Sequence, residues 1–156
     1  MKLRVRPLLI ALAVPLAAGG LAALLSGGGM EVFQSLNQPP LSPPGWLFPV
    51  AWTLLYLLMG AASYLAYTRA ESRAALERAL LPYAVQLAFN FLWPIFFFRF
   101  SLYLFSFFWL VALWLLILAT AQLFRRISRA AGNLLIPYLA WVAFAGYLNM
   151  GVYLLN

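Results

Sequence analysis

Three stretches of this chain set hydrogen-bonding and aromatic side chains on single helical stripes. Gln86 and Asn90 stand four apart with Trp93 three further on, so two amides and an indole share one face of a helix. Tyr138, Trp141, Ala145 and Asn149 follow at spacings of three, four and four, and Trp52 and Tyr56 stand four apart. Polar side chains inside apolar helices need a partner or line a cavity. Converging at similar depth, the three stripes would form a mostly aromatic pocket with a few amides and phenols, the usual make-up of a small-molecule site and one suited to a flat, apolar ring system. A purely structural reading stands beside it. Asn90 and Asn149 would then tie helices together, and Trp46, Trp109 and Trp114 would belong to the interfacial belt or face lipid.

The composition closes off most other chemistry. Cys and His are both absent, which removes disulfides, thiol nucleophiles, imidazole bases and the commonest metal ligands, so no metal is expected. Glu31, Glu71 and Glu77 are the only carboxylates, and all three fall between the apolar segments. No ion-coupling acid is therefore available within the membrane, and any transport would be passive. No phosphate-binding loop, dinucleotide fingerprint, zinc-protease helix or nucleophile elbow occurs.

The elements that must position the stripes follow from hydropathy. Of 156 residues, 66% are hydrophobic and 8% charged, against about 25% charged in globular domains. The expectation is an all-α integral membrane protein, a five-transmembrane-helix bundle forming one domain over residues 1–156. Its helices should lie at about 7–26, 46–68, 79–98, 102–124 and 133–154. Lys2, Arg4 and Arg6 before an apolar run fit a signal peptide or a first span, and Ala17-Ala18-Gly19 resembles a cleavage site. The apolar run from Leu8 to Leu25 is long enough to cross, which favours a retained helix. Residues 27–45 form a loop whose Pro39, Pro40, Pro43 and Pro44 cannot continue a helix. This stiff segment, with Trp46 after it, is expected to act as a lid. Pro94 should kink the third helix. The run FSFFWLVALWLLILA, with almost no polar face, reads as the most lipid-exposed span. Gly60, Ala61 and Ala62 offer a close helix contact, and Ala84 with Ala88 a homodimer contact.

Ten Lys/Arg give a net charge of +7, read here as a sign of topology rather than of nucleic-acid binding. They cluster at the N-terminus, in 69–78 and in 125–129, leaving Arg99 alone between the third and fourth spans. The positive-inside rule puts the N-terminus on the cytoplasm-equivalent side and the proline-rich loop and C-terminus opposite.

The runs QPPLSPPGW, PVAWTLLYLLMG, QLAFNFLWPIFFF and IPYLAWVAFAGYLN resemble those of the translocator protein family, also called the peripheral-type benzodiazepine receptor or tryptophan-rich sensory protein family. The resemblance runs from about residue 31 to the end and points to a bacterial-type member. It implies a five-helix bundle, often dimeric, with a pocket beneath the first loop that takes porphyrins and other apolar ligands, sterols among them. Position by position, Trp52, Tyr56, Asn90, Trp93 and Trp141 match the family's pocket lining, and Ala145 falls where a small residue affects ligand fit. The chain departs from the family at Val32-Phe33, where many members have Trp-Tyr, and at Leu41, where they have Trp; a lid poorer in stacking and hydrogen-bonding groups is expected. Leu148 and Tyr153 lack the following cation of the sterol-recognition pattern, which is weak even when complete.

The resulting expectation is a membrane protein that binds a protoporphyrin-like tetrapyrrole as a sensor or passive carrier and requires no cofactor. Membrane lipid and a second copy of the chain are its expected partners. One alternative is an enzyme that degrades porphyrin in light, with Trp52 and Trp141 as redox partners. Another is a regulatory membrane partner whose pocket holds lipid or sterol.

Overall fold

The computed structural model describes residues 2–156, and every regular element among them is helical. Five apolar stretches are long enough to span a bilayer: Val5–Leu25, Leu47–Arg69, Arg73–Arg99, Tyr103–Ile127 and Arg129–Leu155. In chain order these comprise α1 (Val5–Leu25), α3 (Leu47–Arg69), α4 (Arg73–Pro94) with a π-helical turn over Ile95–Arg99, α5 (Tyr103–Ile127), and the short α6 (Arg129–Asn133) leading into α7 (Ile136–Leu155). A further short helix, α2 (Gly29–Ser35), lies within the expected lid loop.

Lipid offers no hydrophobic drive for helix association, so the bundle is held by close backbone approach and by hydrogen bonds between helices. α1 packs on α3 and α4, and α5 lies between α4 and α7. The α1–α3 contact depends on the absence of side chains. A Cβ on Gly60 would stand 2.7 Å from both the Ala11 carbonyl oxygen and the Leu12 Cα, and one on Gly19 would collide with the Tyr56 ring. Between α1 and α2, Gly27 and Gly28 take left-handed φ values of 72° and 77°, which lets the chain reverse within two residues.

Several expectations change. The third span begins at Arg73 rather than near residue 79, because the Ser72 hydroxyl accepts the Ala75 N–H at 3.1 Å and caps the helix. An Arg73–Glu77 ion pair then lies along its exposed first turn. Pro82 therefore sits in the helix interior. The kink expected at Pro94 takes the form of the π-helical turn that follows it. α5 is not the most lipid-exposed span: it buries Leu110, Leu113, Ile117, Thr120 and Phe124 among others, whereas α1 buries only Pro15 and Ala22. Trp109 and Trp114 are not simple belt residues either. Their indoles donate to the carbonyls of Phe89 (2.9 Å) and Leu139 (3.0 Å), tying α5 to α4 and α7. Trp46 is 67% exposed, consistent with an interfacial position.

The two ends of the bundle differ in charge. Arg69 donates to the Ser128 hydroxyl at 3.0 Å and the Arg4 N–H to the Tyr64 hydroxyl at 2.9 Å, which gathers the basic segments at one end. At the other end lie the lid, Arg99 and Asn156, with Arg99 donating to the Leu25 carbonyl at 3.2 Å.

Candidate functional site

Between α1, α3, α4 and α7, beneath α2, lies a cavity of about 450 Å³. Its α3 wall is Phe48, Pro49, Trp52, Thr53 and Tyr56, one stripe of an apolar helix. α4 contributes Asn90 and Trp93, and the turn after Pro94 adds Phe97 and Phe98. Proline has no N–H to continue the α-helical ladder, and the wider π turn brings Trp93 and Phe97 into a stack with ring centroids 5.2 Å apart. α7 supplies Trp141, Ala145, Leu148 and Asn149. Small residues of α1 line another side, Gly19, Gly20 and Ala23 among them.

The aromatic rings brace one another. Trp52 stacks on Tyr56 at 5.7 Å and meets Trp141 edge to face at 6.4 Å, and Trp141 touches Phe48 at 6.0 Å. Perpendicular indoles leave ring faces open to the cavity, where a planar guest can stack.

Below the aromatic level runs a chain of hydrogen bonds. The Tyr56 hydroxyl donates to Asn90 Oδ1 at 2.9 Å, Asn90 Nδ2 donates to the Tyr138 hydroxyl oxygen at 2.7 Å, and the Tyr138 hydroxyl donates to Gln86 Oε1 at 2.7 Å. Each polar group so buried finds a partner, and three helices are fixed at a common depth. A second link is nearer the lid. Trp93 Nε1 donates to Asn149 Oδ1 at 3.1 Å, while Asn149 Nδ2 donates to the Tyr103 carbonyl at 2.7 Å. The structural and cavity-lining readings of Asn90 and Asn149 are thus both present in the same side chains. Trp141 Nε1 differs: it is screened from solvent yet has no acceptor. The ring lines the cavity but this nitrogen does not face it, so an acceptor on a guest would satisfy it only once the indole turns.

Of the residues singled out in the sequence, Trp52, Tyr56, Asn90, Trp93, Trp141, Ala145 and Asn149 line the cavity together. Gln86 and Tyr138 do not line it; both are 1% exposed and lie beneath the floor within the hydrogen-bond chain. Pro39, Pro40, Pro43, Pro44 and Trp46 do not line it either. The roof is instead α2, through Gly29, Met30 and Phe33, and the proline segment braces it from outside: Gln38 Nε2 donates to the Phe33 carbonyl at 3.0 Å, and Gly45 lies against Met30 and Gln34. Pro39 is buried against Gly151 of α7, the Tyr147 hydroxyl donates to the Pro40 carbonyl at 2.6 Å, and Asn37 and Asn156 bond each other through side chain and backbone. The roof keeps more stacking surface than its departures from the family suggest, because Phe33 is buried, lines the cavity and meets Phe48 at 5.2 Å. Leu41 is 84% exposed and lies outside the site.

The residues missed by the stripe argument belong to α1, α2 and the π turn, with Phe48, Pro49 and Thr53 of α3, Pro94 of α4 and Leu148 of α7 beside them. The α1 wall carried a signal, a run of small residues at Gly19, Gly20 and Ala23 following Leu16 at helical spacing, but without polar or aromatic chemistry to mark it. Among the described lining side chains there is no carboxylate, amine or guanidinium. The arrangement can stack, hydrogen-bond and exclude water; it has no acid or base to move a proton at neutral pH.

A sequence model described as the TspO/MBR family matches residues 11–155. The chain is 38% identical over 139 residues to Protein CrtK of Rhodobacter capsulatus, which covers 89% of this chain and 86% of that protein. It is 36% identical over 124 residues to the tryptophan-rich protein TspO of Chlorobaculum tepidum, with 80% and 78% covered. Similarity extends to the translocator protein of Ovis aries, 39% identical over 128 residues, with 80% and 75% covered.

Proposed function

The chain belongs to the TspO/MBR family of membrane proteins, and on that footing we propose that its cavity binds a porphyrin or a similarly flat, apolar tetrapyrrole, acting as a sensor or passive carrier. The observation that carries this reading is the meeting of Trp52, Trp93 and Trp141, from three different helices, around one hollow of about 450 Å³. That volume falls within the ~300–1,000 Å³ typical of small-molecule sites. Indole faces suit an extended π system, the second hydrogen of Asn90 Nδ2 can donate to an acceptor on its edge, and the Tyr56 oxygen, whose hydrogen is committed to Asn90, can accept. The chain offers no His or Cys as an axial ligand, so metal-free porphyrin should bind better than haem. No carboxylate lines the cavity to couple an ion gradient, which favours passive movement or sensing over driven transport. The cation-rich end is assigned to the cytoplasm-equivalent side by the positive-inside rule, with the roof opposite. The exposed Ala84 and Ala88 of α4 offer a small-residue surface for a second copy.

Titration of the protein in lipid nanodiscs with protoporphyrin IX, read by tryptophan emission, tests this. Saturable quenching at micromolar ligand is expected. Trp141→Phe, which keeps an aromatic ring but loses the larger indole face, should weaken binding about fivefold, from about 1 kcal/mol of lost aromatic contact. Quenching that rises linearly without saturating would refute the reading. Illumination of the complex then separates carriage from chemistry: a carrier returns intact porphyrin, and a new absorbing product lost in Trp141→Phe would assign a degrading activity to the indoles.

A further inference from the structure

We infer that guests reach the cavity sideways from the hydrocarbon of the bilayer, through a window between α1 and α3 in the half of the bundle nearest the roof. This rests on the binding reading above and adds the route by which that site is filled. α1 and α3 run antiparallel and touch closely near mid-span, where Gly60 meets the backbone at Ala11 and Leu12, and again nearer the roof, where Gly19 lies on the Tyr56 ring. Beside that contact and up to two turns beyond it towards the roof, the residues that would continue it are Gly20 and Ala23 on α1 and Pro49 and Thr53 on α3. All four line the cavity, and all four are exposed. A Cβ built on Gly20 would meet nothing within 4 Å. The helices therefore face each other here across small side chains that do not bridge the gap. The Thr53 hydroxyl is turned back to the Pro49 carbonyl at 2.7 Å, so the rim presents lipid with apolar surface and a satisfied polar group.

The roof is closed by many more bonds. Lifting it would break the Tyr147–Pro40 hydrogen bond and three hydrogen bonds that Asn37 shares with Leu155 and Asn156, and would pull Pro39 off Gly151 and Phe33 off Phe48. Among the described residues no side-chain hydrogen bond joins α1 to α3 at the window. A flat apolar guest also concentrates in the hydrocarbon rather than in water, which places it at the window and not above the roof.

The chain has no cysteine, so the two routes can be blocked separately. Gly20→Phe or, from the facing helix, Thr53→Trp would plug the window. Asn37→Cys with Asn156→Cys, joined by a disulfide or a short bis-thiol cross-linker, would lock the roof. Stopped-flow quenching by protoporphyrin IX in nanodiscs reads both association and dissociation. The plugged proteins should bind and release about tenfold more slowly, as expected when access requires helices to part, and the locked protein should match wild type within about twofold. Two plugs are used so that a folding defect in one does not decide the matter; thermal unfolding identifies it. Unchanged dissociation from both plugs, or slowing by the roof lock instead, overturns the lateral route while leaving binding intact. Absence of saturable quenching in wild type overturns the binding reading and this inference with it.

Discussion

Tyr138→Phe removes one oxygen from the middle of the hydrogen-bond chain and tests whether that chain holds the bundle at the depth of the cavity floor. The Tyr138 oxygen accepts from Asn90 Nδ2 at 2.7 Å and donates to Gln86 Oε1 at 2.7 Å, and the residue is 1% exposed. Its loss orphans a donor on Asn90 and an acceptor on Gln86 where neither water nor lipid headgroups reach. Two lost bonds at the ~0.6 kcal/mol average found in membrane proteins set a floor of about 1.2 kcal/mol. Two buried unsatisfied groups at about 1–3 kcal/mol each set a ceiling of about 6 kcal/mol. The expected cost lies nearer the floor, about 2 kcal/mol, because the chain unfolded within a membrane also finds partners. Gln86→Leu combined with Tyr138→Phe should recover part of the loss, since the double variant leaves only the Asn90 donor unsatisfied, one group fewer than Tyr138→Phe alone. Reversible unfolding in mixed detergent micelles, followed by tryptophan emission, measures both. A Tyr138→Phe cost below about 0.5 kcal/mol, or a double variant no better than the sum of the singles, would refute the role given to this chain.

Gly60→Ala should destabilise the protein by about 1–3 kcal/mol, because the new methyl meets the α1 backbone at 2.7 Å; Gly146→Ala, with only Phe107 at 3.9 Å, should be neutral or stabilising by up to about 1 kcal/mol through helix propensity. A melting comparison of the two variants checks the helix-contact argument. Leu41 holds a left-handed φ of 67°, and Leu41→Asn should raise stability by up to about 1 kcal/mol without changing protoporphyrin affinity, read by the same melts and by quenching titrations. Ala145→Phe should fill part of the cavity and abolish saturable protoporphyrin quenching while the protein still melts cooperatively, since Ala145 lines the hollow between Trp141 and Asn149.

Much of the site was legible because helical spacing fixes which side chains share a face. Trp52 and Tyr56, Asn90 and Trp93, and Trp141, Ala145 and Asn149 could be paired before any coordinates and do surround one cavity. Spacing does not fix depth, which is why Gln86 and Tyr138, on the same stripes one turn further along, lie under the floor instead of in the cavity wall. Polarity misled in two places. The apolar face of α5 suggested lipid, but in a membrane the buried face of a helix is not marked by hydrophobicity, and α5 sits between two neighbours. The charged stretch before residue 79 read as a loop, although Ser72 caps a helix and Arg73 and Glu77 pair along it. The α1 wall, with the window it leaves, is made of side chains too small to signal anything alone. It became visible only when their neighbours were known.

The six tryptophans of the chain fall into two sets. Trp52, Trp93 and Trp141 line the cavity, whereas Trp46 is exposed and Trp109 and Trp114 are committed to carbonyls on α4 and α7. Labelling with 5-fluorotryptophan and titrating protoporphyrin IX in nanodiscs gives one fluorine resonance for each. The resonances of Trp52, Trp93 and Trp141 should shift together and saturate while the other three stay in place. Shifts confined to Trp46, Trp109 or Trp114, or no saturating shift at all, would contradict the claim that the indoles of α3, α4 and α7 hold the guest.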